Sequence, residues 1–243
     1  MKINKFYKIF LVSVLLLSTF KLEAQDWQNL GRFRTENAEL GMPAKGEERV
    51  VFIGNSITQG WITARPEFFN KRPYINRGIS GQTTPQMLLR FRQDVIALQP
   101  KVVVILAGTN DIAGNTGFST LDMIENNLAS MAELAASNGI RVVLSSVLPV
   151  FDYPWKPGIQ PATKIIALNV WIKKYCELNR FIYLDYFSAM VDDLKGMKAE
   201  LSKDGVHANI EGYKVMEPLV EAAIQEAFKN KCEKCNFQLP KQQ

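Results

Sequence analysis

The chain contains one histidine, His207, which lies in the segment DGVHANIEGY three residues after Asp204. A general base of the imidazole type that acts near neutral pH must therefore be this residue. Gly205 favours a sharp turn between the two, so that the Asp204 carboxylate can reach a ring nitrogen and stabilise the protonated imidazole. A surface histidine without a role is the alternative, and these residues alone do not decide between the two. The single histidine also argues against a catalytic zinc site, which needs several such ligands, and we expect no metal and no cofactor.

Ser56 is a candidate nucleophile because it follows a short apolar run in VVFIGNSITQG, residues 50–60. The segment departs from the G-x-S-x-G nucleophile elbow at Thr58, where that motif requires glycine. No Lys-Ser/Thr pair follows Gly60, so the segment is not a phosphate-binding loop, and the chain has no G-x-G-x-x-G fingerprint for a dinucleotide. Taken alone, the segment favours a turn or helix-cap serine over a nucleophile.

Two further segments contain hydrogen-bond donors that can serve a reaction. The segment NRGISGQTT contains Gly78 and Gly81, whose backbone N–H groups a ligand can approach closely. The segment GTND contains Asn110, whose side-chain amide can donate into a cleft. Turn glycines and an ordinary Asn-Asp loop explain each segment equally well when it is considered alone.

The apolar pattern predicts the elements that must position these residues. Short β-branched runs alternate with amphipathic helices, which is typical of one doubly wound α/β domain with a parallel sheet. The predicted strands are residues 49–54, 73–79, 101–108, 141–149 and 181–187. The predicted helices are residues 83–99, 118–139, 161–179 and 209–228. Because such sheets carry their sites at the carboxyl ends of the strands, we expect Ser56, Gly78 and Asn110 at one edge.

Taken in order, the Gly-Asn-Ser, Gly, Gly-x-Asn-Asp and Asp-x-x-His segments resemble the SGNH hydrolase (GDSL-type esterase) family. The match runs from about Arg49 to Phe228. RGISGQTTPQMLLRF and PKVVVILAGTND are most similar to the branch with platelet-activating-factor acetylhydrolase catalytic subunits and bacterial acetylesterases. The resemblance implies a three-layer α/β/α fold with a five-stranded parallel, flavodoxin-like sheet. One departure is Asn55, since many members have aspartate before the serine.

The resemblance also implies a role for each residue of the site. Ser56 would be the nucleophile, His207 the general base and then acid, and Asp204 the residue that orients His207. The oxyanion hole would consist of the Ser56 and Gly78 backbone N–H groups and the Asn110 side-chain amide.

The resemblance is less informative about the substrate. An exported member without a long apolar lid segment is expected to be an O-acetyl esterase that removes small acyl groups from carbohydrate. Tyr153 and Trp155, in VFDYPWKPGIQP, are candidate aromatic contacts for a sugar or acyl group, and Trp61 and Arg65 are weaker candidates. Packing within the loop is the alternative. Two other functions remain open: a lysophospholipase, arylesterase or thioesterase acting on longer acyl chains, and a non-catalytic glycan-binding module.

Both ends of the chain differ from the predicted domain of residues 25–230. Residues 1–24 combine early lysines with the apolar run IFLVSVLLLSTF, which predicts a secretory signal peptide cleaved near Ala24 and a secreted or periplasmic protein. An uncleaved anchor helix is the alternative, although the run is short for a membrane span. Residues 231–243 form a polar tail in which Cys232 and Cys235 are expected to form a local disulfide rather than half of a zinc site.

The charge of the chain argues against some partners. The predicted signal peptide carries four of the 29 basic and one of the 24 acidic residues, so its removal lowers the net charge from +5 to +2. No basic run with interleaved aromatic residues remains, and we expect no nucleic-acid partner and no stable membrane anchor. The expected partner is a small-molecule or glycan ester, and a homodimer is plausible by analogy. Cys176, on an apolar helix pattern, is expected to be buried.

Overall fold

The structure of the protein, a computed structural model, describes residues 26–230 and 237–240. The predicted signal peptide, Cys232 and Cys235 lie outside the described residues. Five strands form the sheet: β1 (Val50–Gly54), β2 (Tyr74–Gly78), β3 (Val102–Leu106), β4 (Arg141–Ser145) and β5 (Ile182–Leu184). All neighbouring strands are parallel and their order is β2-β1-β3-β4-β5. This is the flavodoxin-like order, and the predicted sheet is confirmed.

Helices cover both faces of this sheet. The helices of the described residues are α1 (Arg34–Leu40), α2 (Ser56–Ala64), α3 (Pro66–Asn70), α4 (Thr84–Asp94), α5 (Thr109–Ile112), α6 (Leu121–Ser137), α7 (Ala162–Asn179), α8 (Phe187–Met190) and α9 (Ile210–Lys229). Helices α4, α6 and α7 contribute to one apolar core, and α2, α3 and α9 contribute to the other. The three layers of the predicted α/β/α fold are therefore present. None of the described helices is long and apolar enough to cross a membrane.

The strands read as continuous apolar runs because both of their faces are covered. In β1, Val51 and Ile53 pack into one core and Val50 and Phe52 into the other. The same property explains why the predicted strand of residues 141–149 is longer than β4. Residues 146–149 follow β4 as a buried segment without strand pairing. Burial alone makes a loop as apolar as a strand, so the pattern cannot mark the boundary.

The register of the sheet brings the site segments to one edge. Gly54, the last residue of β1, pairs with Gly78 of β2 and with Leu106 of β3. The chain segments that leave these three strands, which carry Ser56, Gly81 and Asn110, therefore start at the same level. The carboxyl edge is where the sequence predicts the site.

Candidate active site

Ser56, His207 and Asp204 form a continuous hydrogen-bonded chain. Ser56 Oγ lies 2.9 Å from His207 Nε2, although the two residues are 151 positions apart in the chain. On the other side of the ring, Nδ1 lies 2.7 Å from Asp204 Oδ2. The carboxylate therefore folds back onto the imidazole as the Asp-x-x-His spacing predicts. This arrangement holds the ring with Nε2 toward the serine hydroxyl.

The second oxygen of Asp204 is fixed by the turn that contains it. Oδ1 accepts the backbone N–H groups of Val206 at 3.0 Å and His207 at 2.8 Å, and the Ser202 hydroxyl at 3.2 Å. Partial burial disfavours the charged form, but these backbone hydrogen bonds and the contact with the His207 ring outweigh it and lower the pKa of Asp204 to about 2. Asp204 is therefore ionised at neutral pH. The His207 and Asp204 side chains are 39% and 40% exposed, so the pair orients the ring more than it stabilises the fold.

Ser56 is the first residue of helix α2 rather than part of an open turn. Asn55 precedes the helix, and its Oδ1 accepts the Ile57 N–H at 3.0 Å as an N-cap. This capping role needs only a side-chain oxygen, which explains why asparagine can occupy the position. The Ser56 N–H lies in the first turn of the helix and has no acceptor among the residues that the structure describes. It is therefore free to bind an anionic oxygen.

Asn110 lies in the short helix α5, and its side chain is 3% exposed. One N–H of the amide donates to the Gln82 carbonyl at 2.9 Å. An asparagine amide has two N–H groups, so the second is left for another acceptor. The preceding Gly108 has φ +118°, and an added Cβ there would lie 2.9 Å from Leu168. Glycine is therefore required where the chain leaves β3 and turns into α5.

The prediction that Gly78 donates to an oxyanion is wrong. Its N–H donates to Asn76 Oδ1 at 2.9 Å and is therefore engaged within the protein. An added Cβ at Gly78 would lie 2.2 Å from the Gln59 backbone nitrogen. The glycine thus lets the end of β2 pack directly against α2, which is a structural role.

Gly81 is the better candidate in the same loop. It is exposed, has φ +77°, and its N–H has no acceptor within the described part of the chain. The Asn115 side-chain amide donates to its carbonyl at 3.3 Å, and the adjacent Gln82 binds Asn110. Gly81 is therefore held beside the Asn110 amide. The sequence contained this signal, because both glycines occur in the same segment, but spacing could not separate them.

Only one of the predicted aromatic contacts is accessible. Tyr153 is fully buried, and its hydroxyl contacts the Thr109 side chain and carbonyl at 3.0 and 2.9 Å. Its predicted substrate role is therefore wrong, and the alternative of packing within the protein is correct. Trp155 is 45% exposed, and the centre of its ring lies 6.0 Å from that of His207. It borders the site.

The two weaker candidates after the serine are structural. Trp61 is 2% exposed and stacks on Tyr213 in the core. Arg65 forms a salt bridge with Glu217 at 2.8 Å and another with Glu67 at 2.6 Å. Both predictions are wrong, because Trp61 is packed in the core and the Arg65 guanidinium is engaged by two carboxylates.

The loop that carries Trp155 is held by one carboxylate. Asp152 accepts the backbone N–H groups of the residues around Trp155: Tyr153 at 3.0 Å, Gly158 at 2.6 Å, Ile159 at 3.2 Å and Gln160 at 3.3 Å. Lys156 Nζ donates to the Ala113 carbonyl at 2.9 Å and ties the loop to the segment after α5. Trp155 is thus presented by a preformed loop.

Asp111 supports the site, and no role was predicted for it. Its carboxylate is 2% exposed and accepts the Thr84 N–H at 3.0 and 3.1 Å and the Thr84 hydroxyl at 2.6 Å. Burial raises the pKa of Asp111 to about 6, against the opposing effect of the Thr84 hydrogen bonds. Through this contact the start of α4 is fixed to α5, next to Asn110. The GTND motif marked the residue, but its partner lies 27 residues away in the chain.

A cavity of about 620 Å³ adjoins the triad on the Asp204 side. Its apolar lining includes Ala64, Ala208 and Ile210, and His207 also reaches it. Within residues 26–230 and 237–240, no group of three His, Cys, Asp or Glu side chains is arranged to hold a metal ion.

Comparisons with known proteins identify the same family. A family model described as GDSL-like lipase/acylhydrolase matches residues 52–215. The solved structure of a GDSL-like lipase from Bacteroides thetaiotaomicron is 50% identical with a TM-score of 0.81, and the match covers 82% of this chain and 98% of that one. A structure from Streptococcus that is named for platelet activating factor is 25% identical with a TM-score of 0.66, covering 88% and 99% of the two chains. An acetylxylan esterase from Xylanibacter ruminicola is 28% identical over an alignment 243 residues long, which covers 84% of this chain and 48% of that protein.

The chain spans about half the length of the curated relatives it matches. The family match itself begins in β1 and ends within α9, so that it contains Ser56, Asn110, Asp204 and His207. It covers well over half of the chain. This protein therefore belongs to the GDSL-like lipase/acylhydrolase family.

Proposed function

We propose that this protein is a serine ester hydrolase that works through an acyl-enzyme. The observation that carries the proposal is the hydrogen-bonded chain from Ser56 Oγ to His207 Nε2 at 2.9 Å and from Nδ1 to Asp204 at 2.7 Å. A serine hydroxyl is a weak nucleophile unless a base accepts its proton. The ionised Asp204 favours the tautomer that has its proton on Nδ1 and leaves Nε2 free to act.

In the first half of the reaction, the Ser56 hydroxyl attacks the ester carbonyl while its proton moves to His207 Nε2. A bond forms between Oγ and the carbonyl carbon, and the carbonyl oxygen becomes an anion. The intermediate collapses, the bond to the alcohol oxygen breaks, and His207 gives its proton to the departing alcohol. Ser56 is left acylated and His207 is neutral.

Three donors are available to the anionic oxygen. They are the Ser56 N–H at the start of α2, the unused N–H of the Asn110 amide, and the Gly81 N–H in place of that of Gly78. Loss of one such donor typically lowers kcat about 10²- to 10³-fold. The N-terminus of α2 adds its favourable dipole at the same point.

In the second half, water replaces the alcohol. His207 Nε2 accepts a proton from water as the oxygen attacks the acyl carbon, and the same donors bind the anion. The bond to Oγ then breaks, Ser56 regains its proton from His207, and the carboxylic acid leaves. The enzyme returns to its starting state without a cofactor.

The substrate we propose is an O-acetylated carbohydrate. His207 must protonate the leaving alcohol, so that alcohol lies next to the imidazole and to the exposed Trp155 ring beside it. An indole face is well suited to the apolar face of a sugar ring, and the Asp152-anchored loop presents it without a large ordering cost. The acetylxylan esterase among the relatives supports the same substrate class.

The test is acetate release from a panel of acetylated glycans by the wild type, with Ser56→Ala as the inactive variant. Ser130→Ala is a matched control, because Ser130 lies on α6 and its hydroxyl donates only to the Asn126 carbonyl. We expect release by the wild type and by the control and none by Ser56→Ala. Full activity in Ser56→Ala would overturn the proposal.

Two further measurements address the alternatives. Nitrophenyl esters of increasing chain length should be hydrolysed best as acetate, and a preference for octanoate or longer would favour a lysophospholipase, arylesterase or thioesterase. A fluorophosphonate probe should label Ser56 in the wild type. A protein that binds glycan but resists labelling would be a non-catalytic glycan-binding module.

We also propose that the enzyme acts outside the cytoplasm, in the periplasm or the surrounding medium. The basic and apolar segments of residues 1–24 support this. Sequencing the N-terminus of the protein recovered from an expressing bacterium should give a start near Gln25. A start at Met1 would contradict cleavage.

A further inference from the structure

A buried arginine links the strand ends that carry the site. Arg90 of α4 has a side chain that is 0% exposed, and its Nη2 donates to the carbonyls of Gly54 at 3.2 Å and Arg77 at 2.8 Å. Gly54 is the last residue of β1, two positions before Ser56, and Arg77 is next to the last residue of β2. One guanidinium therefore holds the two strand ends together at the active-site edge.

The same arginine reaches the loop that follows β2. Its Nε donates to Gln82 Oε1 at 2.6 Å, and Gln82 is 1% exposed. The Gln82 side-chain amide donates in turn to the Gln28 carbonyl at 2.9 Å, in the segment before α1. The Gln82 main-chain carbonyl accepts the Asn110 amide at 2.9 Å. Gln82 is thus fixed on two sides and presents the carbonyl that orients Asn110.

The buried charge of Arg90 is balanced by Asp94. Nη1 lies 3.1 Å from Asp94 Oδ2, and the carboxylate is also 0% exposed. Burial lowers the pKa of Arg90 to about 10, and the attraction of Asp94 opposes this, so the guanidinium stays charged at neutral pH. A buried ion pair seldom adds net stability over apolar residues of similar size. Its four directed hydrogen bonds point instead to a role in fixing geometry.

We propose that Arg90 and Gln82 are positioning residues that aim the Asn110 amide at the reacting carbonyl oxygen. The inference rests on the proposed function, in which Asn110 is an oxyanion donor. Because one N–H of Asn110 bonds to the Gln82 carbonyl, the position of that carbonyl sets the direction of the other N–H. Loosening Gln82 misdirects the donor without removing it, and a displacement near 1 Å can lower a rate about 10²-fold.

Gln82→Met is the main variant, since it keeps the side-chain length but removes both polar contacts. We expect kcat on p-nitrophenyl acetate to fall about ten- to hundredfold while KM stays within about threefold, because the donor acts in the transition state. Gln82→Glu keeps an acceptor for Arg90 and should restore kcat to within about fivefold of the wild type. Wild-type kcat in Gln82→Met would overturn the proposal.

Gln93→Met is the matched control. Gln93 lies on α4 and, like Gln82, donates to the segment before α1, at the Leu30 carbonyl, but its side chain makes no hydrogen bond to Arg90 or Asn110 within the described residues. Its kcat should be unchanged. If Gln82→Met does not fold, Arg90→Lys provides the second variant, because lysine retains the charge beside Asp94 but cannot span the same acceptors. The same fall in kcat is expected.

A double-mutant cycle separates positioning from a general structural effect. If Gln82 acts through Asn110, Gln82→Met should change kcat by no more than about twofold in an Asn110→Ala background. A repeat of the full loss in that background would show that Gln82 acts by another route and would overturn the proposal.

A readout that does not depend on activity distinguishes this inference from the proposed function. The side-chain amide resonances of Asn110, assigned by their loss in Asn110→Ala, should move in Gln82→Met and stay in place in Gln93→Met. Moved resonances in a protein whose Ser56→Ala variant remains fully active would refute the proposed function and leave the positioning role intact. Unmoved resonances in an enzyme that depends on Ser56 would refute the positioning role alone.

Discussion

Replacing Asp204 with asparagine separates the tasks of the two carboxylate oxygens. Oδ1 accepts the backbone N–H groups of Val206 and His207 at 3.0 and 2.8 Å, whereas Oδ2 faces His207 Nδ1 at 2.7 Å. An asparagine that keeps both backbone bonds must place its NH₂ group against Nδ1. That donor requires Nδ1 to act as an acceptor, which moves the ring proton to Nε2. A protonated Nε2 cannot take the proton of Ser56.

The size of the expected loss in kcat follows from the free-energy cost of rotating the substituted amide by 180°, so that its oxygen faces His207 Nδ1. The opposite orientation restores an oxygen at Nδ1 but replaces two backbone hydrogen bonds with donor–donor contacts. At about 1 kcal/mol for each lost bond, with some added repulsion, the penalty is about 2–3 kcal/mol. Only about one molecule in 30 to 150 then has the productive tautomer, since 1.4 kcal/mol is a factor of ten. The neutral amide also stabilises the imidazolium less, so we expect kcat to fall about 10³- to 10⁴-fold, as in serine proteases.

The assay is hydrolysis of p-nitrophenyl acetate by Asp204→Asn and Asp204→Ala, with fluorophosphonate labelling as a second readout. Alanine removes the conflicting donor, so we expect the alanine variant to be less impaired than the asparagine variant. Asp192→Asn is the matched control, because that carboxylate also accepts two backbone N–H groups, from Leu194 and Gly196, but lies in a different turn. An Asp204→Asn enzyme within tenfold of the wild type would refute the tautomer argument.

Four further predictions follow from contacts described above. Gly78→Ala should lower the free energy of unfolding in urea by about 2 kcal/mol or more, because its Cβ meets the Gln59 backbone. Gly81→Ala should lower the same free energy by about 1–2 kcal/mol, because the added Cβ has open space around it but an L residue is strained at φ +77°. Trp155→Ala should lower kcat/KM for an acetylated xylo-oligosaccharide about three- to tenfold and leave that for ethyl acetate unchanged, and equal losses would exclude sugar stacking. Because the pKa of Asp111 is raised to about 6, ionisation of this carboxyl group destabilises the folded protein. The destabilisation develops as the pH rises from about 4 to about 6 and is fully present above that range. The free energy of unfolding of Asp111→Asn, relative to the wild type, should therefore rise by about 2 kcal/mol between pH 4 and pH 7, and a constant difference would contradict the raised pKa.

The sheet could be predicted from the sequence because its strands are buried on both faces. Runs such as Val102–Leu106 are apolar at every position, and the helices between them carry the other side of each core. The triad could also be anticipated, because one histidine in the chain leaves no choice of imidazole. Asp204 is close in sequence to His207, and a three-residue turn imposes their contact.

Contacts between distant segments could not be predicted in the same way. Tyr153 and Trp155 are two residues apart in one loop, yet one is fully buried and the other is 45% exposed. What distinguishes them is the Thr109 hydroxyl and carbonyl, which lie 44 residues away in the chain and satisfy the Tyr153 hydroxyl. A local pattern contains no information about such a partner, so the pair is ambiguous until the loop is packed.

Thr58 illustrates how an apparent defect in a motif can be a structural requirement. In the G-x-S-x-G motif a glycine would occupy the position of Thr58. Here Gly54 makes room for the threonine side chain, since a Cβ added to Gly54 would lie only 2.1 Å from Thr58 Oγ1. The Thr58 carbonyl accepts the Asn76 amide at 2.6 Å, and the oxygen of that amide accepts the Gly78 N–H at 2.9 Å. The first turn of α2 is therefore bound to the end of β2 through Asn76, which also occupies the Gly78 N–H. The contacts that hold the first turn of α2 thus also occupy the Gly78 N–H, which is why the proposed mechanism takes its oxyanion donor from the loop beyond β2.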